Sequence, residues 1–242
     1  MDGEKVNTEE KSGLPPKQSM LTVPVAIIIA GLAIAGAIYF SNWKKDGGTV
    51  TPTDTIITLD QVTKDDHIIG NLDAKVTLVV YTDLECPWCK VFHETINKIM
   101  TNYEKDTRVA LVYRNFPITD RHPKAPHEAE AAECAAKLGG ETKFWDFINN
   151  VFKITPSNNG LDEAELPKIA KDIGLDVDSF NKCLASGEMK ARVDRDIISG
   201  EKTGGFGTPN TFVVVDKKVV GVIKGAQSYE YVKAVIDNLL AK

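Results

Sequence analysis

Basic residues are not in excess: 29 Lys and Arg stand against 34 Asp and Glu, for a net charge of −5. A dedicated nucleic-acid binder normally carries a basic face, so that class is set aside. Low complexity is also absent. With 43% hydrophobic, 26% charged and 7% aromatic residues and 11 prolines, the 242-residue chain is neither compositionally biased nor wholly disordered. Its length allows one large domain or two small ones, and no internal repeat divides it. Residues 1–50 hold five acids and five Lys, so the net negative charge falls on residues 51–242. That part is expected to be soluble. Cysteine is sparse, with four in the chain, and two of them, Cys86 and Cys89, stand only three apart.

Charge is missing altogether from residues 20–43. The run VPVAIIIAGLAIAGAIYF at 23–40 is long enough to cross a membrane, since about 20 helical residues span a hydrocarbon core of ~30 Å. Tyr39, Phe40 and Trp43 stand where an interfacial aromatic belt belongs, and Lys44 and Lys45 stop the run. The expectation is a cytoplasmic tail at 1–19, an uncleaved single-pass anchor at 20–43 and a linker at 44–57. A cleaved signal peptide ending near Ala35 or Ala37 is the alternative. No cysteine follows the run, so a lipoprotein pattern is excluded.

The rest reads as two kinds of segment. Residues 75–82 (KVTLVVYT) and 109–113 (VALVY) are apolar, β-branched runs suited to strands covered on both faces. Between them Trp88, Phe92, Ile96, Ile99, Met100 and Tyr103 recur at helical spacing, which makes a βαβ unit. Residues 122–202 show no strand pattern. Helices are expected at 128–138, ending at Gly139-Gly140, and at 143–154, 163–173, 178–185 and 188–198. Residues 211–215 and 219–223 then suit a hairpin joined by Asp216, Lys217 and Lys218. An amphipathic helix at 231–240, capped by Ser228, closes the chain. The fold class expected is α/β, with a first half at 58–120, an all-helical insertion at 121–202 and a second half at 203–242.

The chemistry centres on Cys86-Pro87-Trp88-Cys89. A strand ends just before it and a helix begins at it, so Cys86 falls at a helix N-terminus. There unpaired N–H groups and the positive end of the helix dipole favour a thiolate. A lowered pKa raises the thiolate fraction and makes Cys86 a good leaving group. Pro87 needs no N–H partner at an early helical position. Cys89, one turn in, is expected to be the less exposed, resolving thiol. The alternatives are a zinc site drawn from Cys86, Cys89, His122 and His127, and an inert disulfide.

YTDLECPWCK at 81–90, NFP at 115–117, AAECAAKLGG at 131–140 and GTPNTFVV at 207–214 occur in order. Together they resemble the DsbA-like thioredoxin-fold thiol oxidoreductases, in their membrane-anchored or exported prokaryotic branch. The resemblance covers roughly residues 55–240. It implies a thioredoxin fold with a helical insertion, preceded here by the single transmembrane helix. It also implies that Pro209 is cis and lies beside the cysteines, and that the Thr208 backbone pairs with a substrate strand. Gly204, Gly205 and Gly207 permit unusual backbone angles just before it. Two positions depart from the pattern. Many relatives carry a buried acid six residues before the first motif cysteine, where this chain has Val80, with Asp83 and Glu85 on the loop beyond. Strong oxidases carry His where this chain has Trp88.

Cys134 and Cys183 stand 49 residues apart in the helical region. A structural disulfide is expected for them in an oxidising compartment; a second redox pair or two free thiols are the alternatives. His67, His93, His122 and His127 are expected to face solvent or make local hydrogen bonds, and Phe144, Trp145, Phe147 and Phe152 to form core. The function expected is a thiol–disulfide oxidase for exported proteins with free thiols. Its catalytic domain would be extracytoplasmic, its reoxidant quinone-linked, of the DsbB or vitamin K epoxide reductase (VKOR) type, and no metal or organic cofactor would be needed. A reductase or isomerase, or a tethered peptide-binding module or chaperone, are the rival readings.

Overall fold

The computed structural model of the protein describes residues 58–205 and 207–242. The tail, anchor and linker expected at 1–57 lie outside the described residues. Among those described, no helix is long and apolar enough to cross a membrane.

Five strands form one sheet: β1 (His67–Gly70), β2 (Val76–Thr82), β3 (Val109–Asn115), β4 (Asn210–Val215) and β5 (Lys218–Lys224), in the order β1-β3-β2-β4-β5. Helix α1 (Pro87–Asn102) crosses between the parallel pair β2 and β3. β4 lies antiparallel to β2, with Tyr81 opposite Asn210. This is the βαβ and ββα arrangement read from the sequence. The turn between β4 and β5 is tighter than expected, with only Asp216 and Lys217 in it. Both have positive φ, 48° and 64°, as a two-residue hairpin turn requires, and Lys218 already belongs to β5. β1 escaped the sequence reading because four residues ending in a glycine carry too little alternation to register.

Central strands β2 and β3 are buried along their whole length, and their alternation divides the core. Val76, Leu78, Val80, Leu111 and Tyr113 face one side, with Phe92, Ile96 and Ile99 of α1 and Val232, Val235 and Ile236 of α6 (Tyr229–Leu240). Ser228 caps α6 as expected, its hydroxyl accepting from Tyr231 N–H at 3.2 Å. Val79, Tyr81, Val112 and Phe212 face the other side. Each fully buried aliphatic or aromatic side chain contributes roughly 1.5–3 kcal/mol, which makes this double-sided sheet the rigid platform of the site.

Between β3 and β4 the chain is helical. α2 spans Ala125–Ile154 but breaks at Gly140 (φ 76°, ψ −170°), so the expected glycine stop is a kink between two helical segments. A short 3-10 turn (Glu163–Glu165), α3 (Leu166–Asp172), α4 (Val177–Ser186) and α5 (Lys190–Lys202) follow. Cys134 of α2 and Cys183 of α4 form a disulfide with Cα atoms 5.9 Å apart. Phe144, Phe147, Ile148 and Phe180 are buried beside it, so the aromatics of α2 are core. α5 returns to the sheet at Gly200, where a Cβ would lie 2.5 Å from the Phe116 ring.

Candidate active site

β2 ends at Thr82, a three-residue loop follows, and Cys86 is the N-cap of α1 with extended backbone angles (φ −80°, ψ 121°). Pro87 occupies the first turn, where its missing N–H costs nothing. The first free N–H groups of α1 therefore converge on the Cys86 sulfur. On the other side of the sulfur stands the residue before β4. The Thr208–Pro209 peptide is cis, and the Cys86 thiol donates to the Thr208 carbonyl at 3.4 Å. Gly204 and Gly205, both at positive φ, turn the chain into this approach. Residues 122 apart in sequence thus meet because β4 pairs with β2.

The two thiols are free and differ sharply in environment. The pKa of the Cys86 thiol is lowered to about 6. The largest cause is the hydrogen bond donated by the Cys89 thiol, and Thr208 and the N–H groups of Cys89 and Trp88 outweigh the opposing effect of burial. Among the described residues the Thr208 hydroxyl is buried with no hydrogen-bond partner, which leaves it available to the same sulfur. Cys89 has no exposure at all; burial, then the neighbouring Cys86 sulfur, push its thiol well above the usual 9. One sulfur is set to be charged and the other to stay protonated. Beside them Trp88 is 65% exposed and Val91 53%, so the first turn of α1 presents an apolar surface to solvent.

Asp83 and Glu85 do lie on the loop before the motif, as expected, but both are fully buried. Asp83 accepts from the Glu85 N–H at 2.8 Å and from Ile118 N–H at 2.7 Å, and pairs with His122 at 2.8 Å. Glu85 accepts from Thr155 Oγ1 at 3.3 Å and from the N–H groups of Gly160 and Leu161 at 3.2 Å each. Lys90 donates to the Thr155 carbonyl at 2.6 Å. These bonds tie the loop after α2 to the cysteine loop and fix where Cys86 stands. Glu128, also fully buried, lies near Glu85 and has no hydrogen-bond partner among the described residues; burial, then Glu85, raise its carboxyl to about 9.

Three histidines depart from their expected solvent-facing or local roles, half-buried His93 by bonding Asn149, 56 residues away, at 2.6 Å. His122 is spent on Asp83, and His67 lies buried between Glu133 and Glu141 at 3.0 Å each, stacked on Phe144. Burial alone would lower His67, but the two glutamates raise it. His127 is half-exposed, 3.6 Å from Glu163. No group of three or more His, Cys, Asp or Glu is arranged to hold a metal ion among the described residues, so the zinc alternative finds no ligand set there.

A protein-family model described as thioredoxin matches residues 62–238. Among solved structures, DsbA2 of Pseudomonas aeruginosa is 26% identical with a TM-score of 0.61, covering 74% of this chain and 97% of that one. Oxidised BdbD of Bacillus subtilis is 25% identical with a TM-score of 0.65, covering 78% and 100%. Alpha-DsbA1 of Wolbachia pipientis, at 23% identity and a TM-score of 0.65, shares the fold. Sequence relatives include the Na(+)/H(+) antiporters NhaA 3 of Salinispora tropica and NhaA of Herminiimonas arsenicoxydans, 34% and 35% identical over 148 residues. Those matches take in 61% of this chain but only about a fifth of the antiporters' length, 21% and 22%.

Proposed function

The chain belongs to the thioredoxin family, in its DsbA-like thiol–disulfide oxidoreductase group, and from that premise we propose that it is a disulfide-forming oxidase for exported proteins. The observation that carries the direction is the unequal acidity of the pair, with Cys86 lowered to about 6 and Cys89 raised. A thiolate exists only in the reduced form. Stabilising it stabilises the reduced protein and makes the disulfide a stronger oxidant, by ~30 mV for each 1.4 kcal/mol.

In the cycle proposed, a substrate thiolate attacks Cys86 of the Cys86–Cys89 disulfide. A bond forms between the substrate sulfur and Cys86, the Cys86–Cys89 bond breaks, and Cys89 takes the electron pair and a proton. A second substrate thiolate then attacks the substrate sulfur of the mixed disulfide, and Cys86 leaves as its stabilised thiolate. The substrate is oxidised by two electrons and the pair reduced by two. Thr208, ahead of Pro209, offers its backbone to an extended substrate strand, and Trp88 and Val91 offer apolar contact to an unfolded one. Renewal needs a membrane oxidant, which we assign to a quinone-linked partner of the DsbB or vitamin K epoxide reductase type. The apolar run at 20–43 would hold the catalytic part on the extracytoplasmic side.

Equilibration with glutathione buffers, followed by Trp88 fluorescence, tests the direction. A potential well above about −270 mV supports the oxidase; a value at or below it makes the protein a reductase. Cys89→Ser should trap substrates as mixed disulfides through Cys86, and a binding module would trap none.

A further inference from the structure

Beside Cys89 lies a small cavity of about 20 Å³, lined among others by Val80, Thr82, His93, Leu111, Tyr113 and Trp145. One water needs ~10–15 Å³ together with polar partners. Val80, Phe92, Ile96 and Leu111 make its apolar side, and Thr82, His93, Tyr113 and Trp145 bring polar atoms to it. Tyr113 and Trp145 are both buried, and among the described residues neither the Tyr113 hydroxyl nor Trp145 Nε1 has a hydrogen-bond partner. An unpaired buried hydroxyl costs ~1–3 kcal/mol and calls for a reason.

The strand register supplies one. Tyr113 on β3 is the direct neighbour of Val80 on β2, and both belong to the face that carries Cys89. Val80 is the position six residues before Cys86 at which the sequence lacks an acid. Beside Cys89 the cavity is therefore lined from β2 by Val80 and Thr82 and from β3 by Leu111 and Tyr113. Cys89 is also the first charge felt by Tyr113 after burial itself.

We propose that Tyr113 positions one water in this cavity against the Cys89 sulfur, and that this water, held by the tyrosine hydroxyl, donates a hydrogen bond to the Cys89 thiolate as it is expelled. The proposal rests on the oxidoreductase reading and concerns its first step. As the substrate sulfur bonds to Cys86, the Cys86–Cys89 bond breaks and the electron pair passes to the Cys89 sulfur, in a place that burial makes hostile to charge. Tyr113 keeps its proton throughout, because burial pushes its phenol well above 10. Its part is orientation and hydrogen bonding, not proton transfer. The same bond assists the reverse step, in which Cys89 attacks a mixed disulfide as a thiolate. A donor that acts on a transient thiolate speeds opening and closing alike and leaves the equilibrium between disulfide and dithiol where it was.

The test uses the full chain carrying Tyr113→Phe, which removes only the unpaired oxygen. The oxidised protein is mixed with dithiothreitol, and opening is followed by stopped-flow tryptophan fluorescence. We expect opening on the order of tenfold slower, the size of effect that a hydrogen bond to a charged group carries. The redox potential and the Cys86 titration should be unchanged, and Tm equal or higher. His93→Gln, which alters the titratable histidine on the same wall, should leave the rate within about twofold of the wild type. Opening of Tyr113→Phe at the wild-type rate overturns the proposal. So does a slowing matched by a shift in potential or in the Cys86 titration, which would mark a packing role. A wild-type protein that fails to exchange with dithiothreitol at all overturns the oxidoreductase reading itself, and this inference with it.

Discussion

Glu85 and Glu128 are neighbouring buried acids beneath the cysteine loop, and neither side chain reaches solvent. Glu85 holds the chain at Thr155, Gly160 and Leu161, so its oxygens are occupied in knitting the helical insertion to the motif. Glu128 faces Glu85 and, further off, Asp83, with Lys124 as the opposing charge, and the pair is tolerable while Glu128 holds a proton.

That arrangement gives a pH-dependent stability with a definite sign. The Glu128 carboxyl is raised to about 9 in the folded protein from an ordinary 4.5. Between those values the folded state binds one more proton than the unfolded chain, so stability is full below about 4.5 and declines as pH climbs toward 9. Glu128→Gln keeps a donor toward Glu85 without the acid. It should leave stability unchanged near pH 4.5 and raise it by about 1–3 kcal/mol near pH 8, since a tenfold change in proton affinity is worth ~1.4 kcal/mol. Urea unfolding at the two pH values measures this; a variant less stable at pH 8 would refute it.

The Cys86 acidity should appear in the redox potential. Below about 6 the reduced pair binds two protons for two electrons, and above it one, because Cys86 stays a thiolate. The potential should therefore fall by ~59 mV per pH unit below the break and ~30 mV above it, up to the ordinary thiol range. Reduced-state stability rises over the same interval, from about 6 to about 9, because only the unfolded chain still holds that proton. Thr208→Ala should move the break upward. A single slope across pH 5–8 would contradict the lowered Cys86.

Removing the second cysteine pair should cost stability without touching redox chemistry. Cys134 and Cys183 close a loop of 49 residues. The chain-entropy model assigns such a loop roughly 4 kcal/mol, a large part of a typical ~5–15 kcal/mol total. Cys134→Ala with Cys183→Ala should lower the urea midpoint accordingly and leave the glutathione equilibrium of Cys86 and Cys89 in place. A change in that potential would point instead to a second redox centre.

At Gly200, where α5 touches the sheet, even a methyl group lacks space, with the Phe116 ring carbons at 2.5 Å and Tyr81 at 3.1 Å. Overpacking of this kind typically costs ~1–3 kcal/mol. Gly200→Ala should lower Tm by several degrees, although alanine is the better helix former. Tyr81 carries the register to Asn210, so thiol exchange should slow in the same variant. A rise in Tm would show that the contact yields freely.

What could be read in advance followed from local rules. The strand before the motif, the helix opening at Pro87, the hairpin at Asp216 and the Ser228 cap each rest on neighbours a few residues away. The disulfide partners could be named because only two cysteines were left over. What escaped depended on distant partners. Glu85 and Asp83 looked like ordinary loop acids, and only the folded chain brings Gly160, Leu161 and Ile118 to their oxygens. Glu128 stood only as the first residue of an expected helix, yet its side chain is fully buried. His67 is claimed by Glu133 and Glu141 from 66 and 74 residues away. Tyr113 read as one apolar strand residue among others, and its significance depends on which side chain stands beside it on β2.

The distance of 122 residues between Cys86 and Thr208 also sets an order of events during synthesis. A nascent chain displays both cysteines long before the ribosome reaches β4. Until then β2 has no antiparallel neighbour, and the Thr208 carbonyl and hydroxyl are not there to meet the sulfur. An unfinished or truncated product would thus carry the motif without its full activation and would exchange thiols sluggishly with other nascent chains. Reactivity arrives only with β4, so the segment from Thr208 onward certifies the integrity of what was made before it.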